Sequence, residues 1–455
     1  MPAAGEIDSM AFMLVLAALG LTLAVAVRAR PQWGLLAFVV MLCFVPPWLG
    51  VTLKVFLTPL TLVAIVMVVA LWRGERIPLR VYDGVMALVL GLIAVCFIVG
   101  YVDLVQTYGA IIGWGIPYLA GRVAGARIDA RFVATCIALF FGVVSVLAIV
   151  EFVTANNLFS QLHSSNPAYA RWSGIRIRGG VPRVEGAFGN SIALGGALAM
   201  SVPFAWTSRL HAGLKALILV LIGTASVLTF SRIGMGCTAF AVVLCMTVLR
   251  GEVSKSFRAW TAVAAVIGVG IAISFASGIF SSAGQEAEGS AEYRSDLTSL
   301  IPAMSWIGQS ASTSRDSAGT TSYGDFESID SAMILVGLNY GILPLVVLLV
   351  SAVVSIVALL RGYRSASLVS VVALIPGLTS VAFITQFTTF FWFVVGMAVA
   401  QTARTGPSAE VRAEEPPARH AELSGVGAFR SDSIDGLPRV ERSSGVTGRL
   451  PDRRA

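Results

Sequence analysis

Charge is what this 455-residue sequence has least of: Asp, Glu, Lys and Arg together make up 13% of it, about half of the roughly 25% usual in a soluble globular domain. Lysine is almost missing. Lys54, Lys215 and Lys255 are the only three, so arginine carries the net charge of +7. The basic residues are scattered through short hydrophilic gaps rather than gathered in a patch, which excludes a nucleic-acid surface. Histidine is reduced to His163, His211 and His420, too dispersed for a zinc site of the HExxH kind. The five cysteines, Cys43, Cys96, Cys136, Cys237 and Cys245, all lie inside apolar runs, and no loop offers a disulfide pair or CxxC spacing. Metal and thiol chemistry are thereby set aside, and no cofactor is expected. The N-terminal MPAAGEID lacks the basic start of a signal peptide. Ser9 to Val27 is too long for a signal core and has no cleavage site, so it reads as a retained first span.

What fills the chain instead is apolar: 56% of residues are hydrophobic, and the mean hydropathy is +0.83. Apolar runs fall at about 9–27, 34–50, 55–72, 83–101, 106–121, 132–151, 188–207, 213–230, 233–249, 259–277, 331–360, 366–383 and 386–401. Each approaches the roughly 20 residues that carry a helix, rising about 1.5 Å per residue, across the hydrocarbon core of a bilayer. The expected fold is therefore all-α, a polytopic integral membrane protein of about 12–13 transmembrane helices with two large extracytoplasmic loops. Pro46-Pro47 should end the second run early, and Gly341 with Pro344 should divide 331–360 into a short helix and a true span.

Alternate gaps are basic: Arg28 and Arg30; Arg73, Arg76 and Arg80; Arg122, Arg127 and Arg131; Arg209 and Lys215; Arg250, Lys255 and Arg258; Arg361 and Arg364. The positive-inside rule turns these gaps towards the cytoplasm. The acidic N-terminus then lies outside, as do two long loops at about 152–187 and 278–330 of a transmembrane domain spanning 1–401. The tail 402–455 lies inside. It is rich in Pro, Gly, Ser, Arg and Glu with near-balanced charge, the composition of a disordered segment.

The informative residues are arginines on the side where arginine is scarce. The first outer loop carries Arg171, Arg176, Arg178 and Arg183 in RWSGIRIRGGVPRVEGAFGN, and Arg232 sits in TFSRIGMG between two apolar spans with almost no loop around it. Arg294 and Arg315 belong to the second loop. The loop arginines are open to two readings, solvated residues touching lipid headgroups or ligands of a substrate. Arg232, at the membrane boundary in a tight turn, is expected to face the protein interior or a wet cavity, because an uncompensated charge there costs about a few kcal/mol; snorkelling to lipid phosphate is the alternative. A guanidinium stays protonated and grips phosphate in two-pronged fashion, so several converging on the outer face suggest an anionic substrate at the membrane surface, such as a lipid-linked diphosphate. In the second loop, the stretch Leu297 to Ile307, with Trp306, suggests an amphipathic helix lying on the bilayer. Asp330, where that loop enters SAMILVGLNYGILPL, is either a helix N-cap or a polar group at an outer cavity.

Taken in order, these segments resemble the bacterial O-antigen ligase and O-antigen polymerase (Wzy-type) superfamily. RVEGAFGNSIALGGALAM, from Arg183, is similar to its arginine, Gly-aromatic turn, Asn and apolar helix. LTFSRIGMGCTAF is similar to its Ser-Arg-Gly turn between spans. EYRSDLTSL through SWIGQS is similar to parts of its large outer loop, and SIDSAMILVGLNYGILPL to the helix that follows. The likeness covers about residues 183–350.

The resemblance implies a metal-independent, inverting glycosyltransferase in the bacterial plasma membrane. Its donor would be a polyprenyl-diphosphate-linked glycan used on the outer face, its acceptor a glycan or lipid, with envelope-assembly proteins as further partners. It implies catalytic roles for Arg183 and Arg232, holding the diphosphate as charge develops on it, and for Asp330 near the acceptor hydroxyl. Arg176, Arg178, Glu185, Asn190, Ser231, Tyr293 and Arg294 are the accompanying substrate-binding candidates. One departure stands out: where ligases of this superfamily carry a His-Asn pair, this chain has Asp330-Ser331. That argues for a polymerase or another polysaccharide-assembly enzyme over a standard lipopolysaccharide ligase, and leaves the base open. The rival expectation is a transporter or flippase of a lipid-linked or anionic precursor. Such proteins tend towards paired broken helices with polar residues at the midplane, whereas the polar residues of this chain gather in its loops.

Overall fold

An apolar run in a bilayer can satisfy its backbone amides only along itself, and helix is what this chain forms through nearly all of its apolar runs. The structure, a computed structural model, describes residues 4–52, 56–72, 77–282, 293, 296–315, 321–326 and 329–402. Among them, four helices are long and apolar enough to cross a membrane, Val81–Ile98, Ala130–Thr154, Lys255–Ser274 and Ile342–Leu360. Shorter apolar helices include Pro31–Phe44, Pro59–Leu71, Ser191–Thr207, Ala212–Leu228 and Arg232–Val248. Strand among the described residues is limited to three two-stranded hairpins. This is a helical architecture compatible with a polytopic membrane protein. The expected tail, 402–455, lies outside the described residues apart from Thr402.

Helix boundaries follow local chemistry. The Pro31–Phe44 helix ends just ahead of Pro46-Pro47. The expected division of 331–360 falls at Gly341, between Ala332–Tyr340 and Ile342–Leu360. Gly341 sits at φ 98 and ψ 171, a conformation essentially reserved for glycine. Residues from the second loop press on this break: Ile342 N donates to Ser305 O at 2.9 Å and Leu343 N to Trp306 O at 3.0 Å. The run expected at 106–121 extends further, from Leu104 to Arg127, through a π-helical turn at Ile111–Gly115 just before Pro117. A proline that removes an N–H and crowds the preceding turn accounts for that widening.

The expected amphipathic helix at Leu297–Ile307 is not formed. A 3-10 helix, Thr298–Ala303, contains Pro302 and ends at Met304, because proline cannot continue the α-helical ladder. Leu297 and Leu300 turn inward against Tyr323, Ile329 and Leu338, while Trp306 is left exposed. The Tyr323 hydroxyl donates to Asn339 Oδ1 at 2.9 Å and ties this loop to the Ala332–Tyr340 helix.

The core is organised around the Ser191–Thr207 helix, buried along nearly its whole length. Its small residues let neighbours approach closely: a Cβ added at Gly195 would lie 3.2 Å from Gly234 Cα of the Arg232–Val248 helix. The tightest helix pairing is Ile116–Arg127 with Thr385–Gln401, where a Cβ on Gly121 would run into the Phe393 carbonyl and one on Gly396 into the Tyr118 carbonyl. Apolar solvent gives helices no hydrophobic reason to associate, so close packing across small residues carries the contact.

Away from the long loops, at the other end of the helices, charges are paired. Arg122, buried, donates through Nε to Asp83 Oδ1 at 2.7 Å and through Nη2 to Asp83 Oδ2 at 2.8 Å, and Tyr118 OH donates to Asp83 Oδ1 at 2.6 Å. Arg131–Glu252 and Arg209–Asp129 are exposed pairs in the adjoining helix connections.

Candidate anion-binding site

Two glycines set the site. Gly179 and Gly180, at φ 54 and 78, form the two-residue turn that a tight hairpin needs, with both residues left-handed. Ile177–Arg178 then pairs with Val181–Pro182, in the register Ile177 to Pro182 and Arg178 to Val181. Alternate residues of a strand share a face, and so do residues directly opposite. Arg176, Arg178 and Arg183 therefore stand on one face of the hairpin, and the Arg183 amide donates to the Arg176 carbonyl at 2.9 Å.

This face lies over the C-terminus of the Ala212–Leu228 helix, where backbone carbonyls have no partner within the helix. Val184 N donates to Leu228 O at 3.3 Å, Arg183 Nε to Thr229 O at 2.9 Å, and Arg178 Nη1 to Phe230 O at 2.9 Å. Cations there also meet the negative end of the helix dipole. Phe230 itself is fully buried at φ 46, a left-handed strain of about 1 kcal/mol or more for a bulky residue. It turns the chain sharply into Ser231.

The donors are not all used. Arg183 is half-buried, and its Nη1 and Nη2 make no hydrogen bond to the described residues. Arg176 is also half-buried and has a side-chain contact with the Trp172 ring, 5.5 Å from its centroid. Arg171 lies 5.2 Å from the same ring.

Beneath the hairpin lie two buried carboxyl groups. Glu151, near the end of the Ala130–Thr154 helix, accepts from Glu185 N and Gly186 N at 2.9 Å each and from Asn157 Nδ2 at 3.1 Å. It pins the RVEG segment from below. Glu185 is only 2% exposed, and its Oε1 accepts no hydrogen bond. Burial pushes the Glu185 carboxyl up to about 7, with Arg176 opposing, Glu151 adding and Arg183 opposing. Burial likewise pushes the Arg183 guanidinium down to about 10, reinforced by Arg178 and Arg176 and countered by Glu185 and Asp330. It remains charged at neutral pH.

The other expected residues fall into distinct places. Asn190 is buried and caps the Ser191–Thr207 helix, its Oδ1 accepting from Ile192 N and Ala193 N at 2.9 and 3.1 Å. Ser231, also buried, caps Arg232–Val248 by accepting from Gly234 N at 3.2 Å. Both are engaged as helix caps. Arg232 is exposed at the first position of its helix, turned away from the buried face that Ser231, Gly234 and Thr238 share. It is thus not enclosed in the interior. At the next loop the N-cap is Ser331, accepting from Ile334 N at 3.3 Å, and the preceding Asp330 is exposed, its charge felt by Arg183. Tyr293 packs its ring on Phe326 at 5.7 Å, in the second-loop cluster rather than on the hairpin. Arg294 lies outside the described residues.

Sequence reasoning passed over Glu151 and Asn157. The signal was present in AIVEFVTANN, a carboxylate inside an apolar run followed by amides.

From Ala332 and Met333, next to Asp330, an apolar groove runs between the last four helices towards Tyr82 and Thr402. Val336, Leu345, Ala352 and Phe391 line it. Compared with protein-family models, with characterised proteins and with solved structures, the chain matches none.

Proposed function

We propose that this chain is a membrane glycosyltransferase of the polysaccharide polymerase or ligase type. It would transfer glycan from a polyprenyl-diphosphate-linked donor to an acceptor hydroxyl at the outer face of a bacterial plasma membrane. The observation that carries the reading is the hairpin face, where Arg176 and Arg183 keep guanidinium donors in reserve beside Arg178. Such a face suits an oxyanion that gains charge as its bond to sugar breaks. The apolar groove lined from Ala332 and Met333, two and three residues after Asp330, supports the lipid character of the substrate, since a hydrocarbon chain fits its lining. The basic gaps at the other end of the helices support an outward placement of this one.

On this reading the acceptor oxygen attacks the anomeric carbon and the sugar–phosphate C–O bond breaks. The electron pair leaves with the diphosphate, held by Arg183 and Arg176. Asp330, exposed and uncommitted to helix capping, takes the hydroxyl proton. The test is glycan length in cells lacking the gene, complemented with wild type, Arg183→Ala or Asp330→Ala at matched membrane levels. Single units accumulating on the outer-face carrier, relieved only by wild type, support a polymerase; long carrier-linked chains that never reach a final acceptor support a ligase. Units retained on the cytoplasmic side overturn the reading in favour of a flippase.

A further inference from the structure

The transfer step leaves Glu185 without a task, yet among the described residues it is the buried carboxylate with an oxygen that accepts no hydrogen bond. Its partner Glu151 has both oxygens engaged by N–H donors. The charges that act on Glu185 are Arg176 and Arg183 from the hairpin and Glu151 from the Ala130–Thr154 helix, whose carboxylate accepts from the Glu185 amide. Arg178 and Asp330 act in turn on Arg183. Resting on the glycosyltransferase reading, we propose that Glu185 is a proton-operated counter-charge for the arginine face: ionised it partly neutralises the potential of Arg176 and Arg183, protonated it leaves that potential to a diphosphate diester.

The physical basis is competition. An ionised carboxylate within the field of two guanidinium groups satisfies part of the potential that an incoming anion would otherwise use, and repels that anion directly. Proton uptake removes both effects. Arginine does not titrate in this range, and neither does a diphosphate diester, so any change in affinity near neutral pH belongs to the protein's carboxyl groups. Glu185 thus acts through Arg176 and Arg183 as a positioning residue; it forms no bond to the sugar.

The experiment is equilibrium binding of a short-chain prenyl diphosphate sugar to the purified full chain in lipid nanodiscs, across about pH 5.5–8.5, for wild type, Glu185→Gln and Glu185→Asp. With the carboxyl titrating near 7, wild-type affinity is expected to fall up to about tenfold between pH 6 and 8. Glu185→Gln should be tight and flat over that range, while Glu185→Asp, which keeps a carboxyl, should keep a fall. Wild-type affinity that is flat with pH overturns the proposal whatever the variants do, and so does a fall that survives in Glu185→Gln. Tight binding and glycan transfer with no pH response would remove the role of Glu185 alone. Absence of binding at every pH would remove both this role and the donor assignment.

Discussion

Arg183 is held by a single Nε bond to the Thr229 carbonyl, with its two terminal nitrogens unspent. A lysine in its place keeps the charge but cannot cap the carbonyl and present a fork at once. Arg183→Lys is therefore expected to lower transfer by about 10²-fold or more, measured as turnover of purified enzyme on a lipid-diphosphate glycan. Near-normal turnover would contradict a bidentate clamp. Glu185 makes a second residue-level prediction, on stability. Its carboxyl titrates near 7 when folded against an ordinary value of 4.5, so between those values the folded chain binds more protons than the unfolded one. Stability present below about pH 4.5 should fall as pH rises through 7, by at most on the order of 3 kcal/mol. Glu185→Gln should accordingly melt higher than wild type at pH 8 and close to it at pH 5. The opposite order at pH 8 would show that ionised Glu185 is a net stabilising partner of the arginines.

Among the elements, the 177–182 hairpin decides whether the arginines share a face. Gly179→Val or Gly180→Val places a β-branched residue at positive φ, at a cost of about 1–2 kcal/mol locally. The register should loosen, and affinity for a diphosphate diester should drop several-fold while global melting changes little. Equal losses in both readouts would mean the hairpin is structural only. Gly341 is the other element-level hinge: a Cβ there would lie 2.7 Å from Ile307 Cα and 2.8 Å from the Trp306 carbonyl. Gly341→Ala should free the second loop from the break between its two helices, seen as faster proteolysis within residues 305–310 while the hairpin arginines remain in place.

For the molecule as a whole, one feature stands apart from the site. The Asp83–Arg122–Tyr118 cluster fastens the Val81–Ile98 helix to Ile116–Arg127 at the end opposite the hairpin. Asp83→Ala would strand a buried guanidinium, with an expected loss of about 3–5 kcal/mol, read as a lower unfolding midpoint in mild detergent. Asp83→Ala combined with Arg122→Met should recover much of it, because no buried charge is then left unpaired. A double variant as unstable as the single one would assign the loss to packing.

How much of this could be read beforehand differs by feature. The apolar runs, the break at Gly341 and the stop before Pro46-Pro47 were legible because each depends on residues near in sequence: hydropathy over one span, or one residue's backbone preference. The arginines were legible as an excess of charge in the wrong place, and RIRGGVPR holds even their shared face, since a Gly-Gly turn fixes alternation across both strands. Other assignments depended on which polar side chain the backbone takes as a cap. Asn190 and Ser231, substrate-binding candidates in the sequence, each accept from backbone amides two or three residues on and cap the helix that follows. Asp330 yields the cap to Ser331, whose hydroxyl reaches Ile334 N.

The Glu151–Glu185 pair joins residues 34 apart, and no local pattern announces that one carboxylate will be satisfied and the other left with an empty oxygen. Helix and span come from composition and period, which a sequence carries along its length. Which polar group is spent and which is left over comes from proximity between distant segments, and only the packed structure decides that.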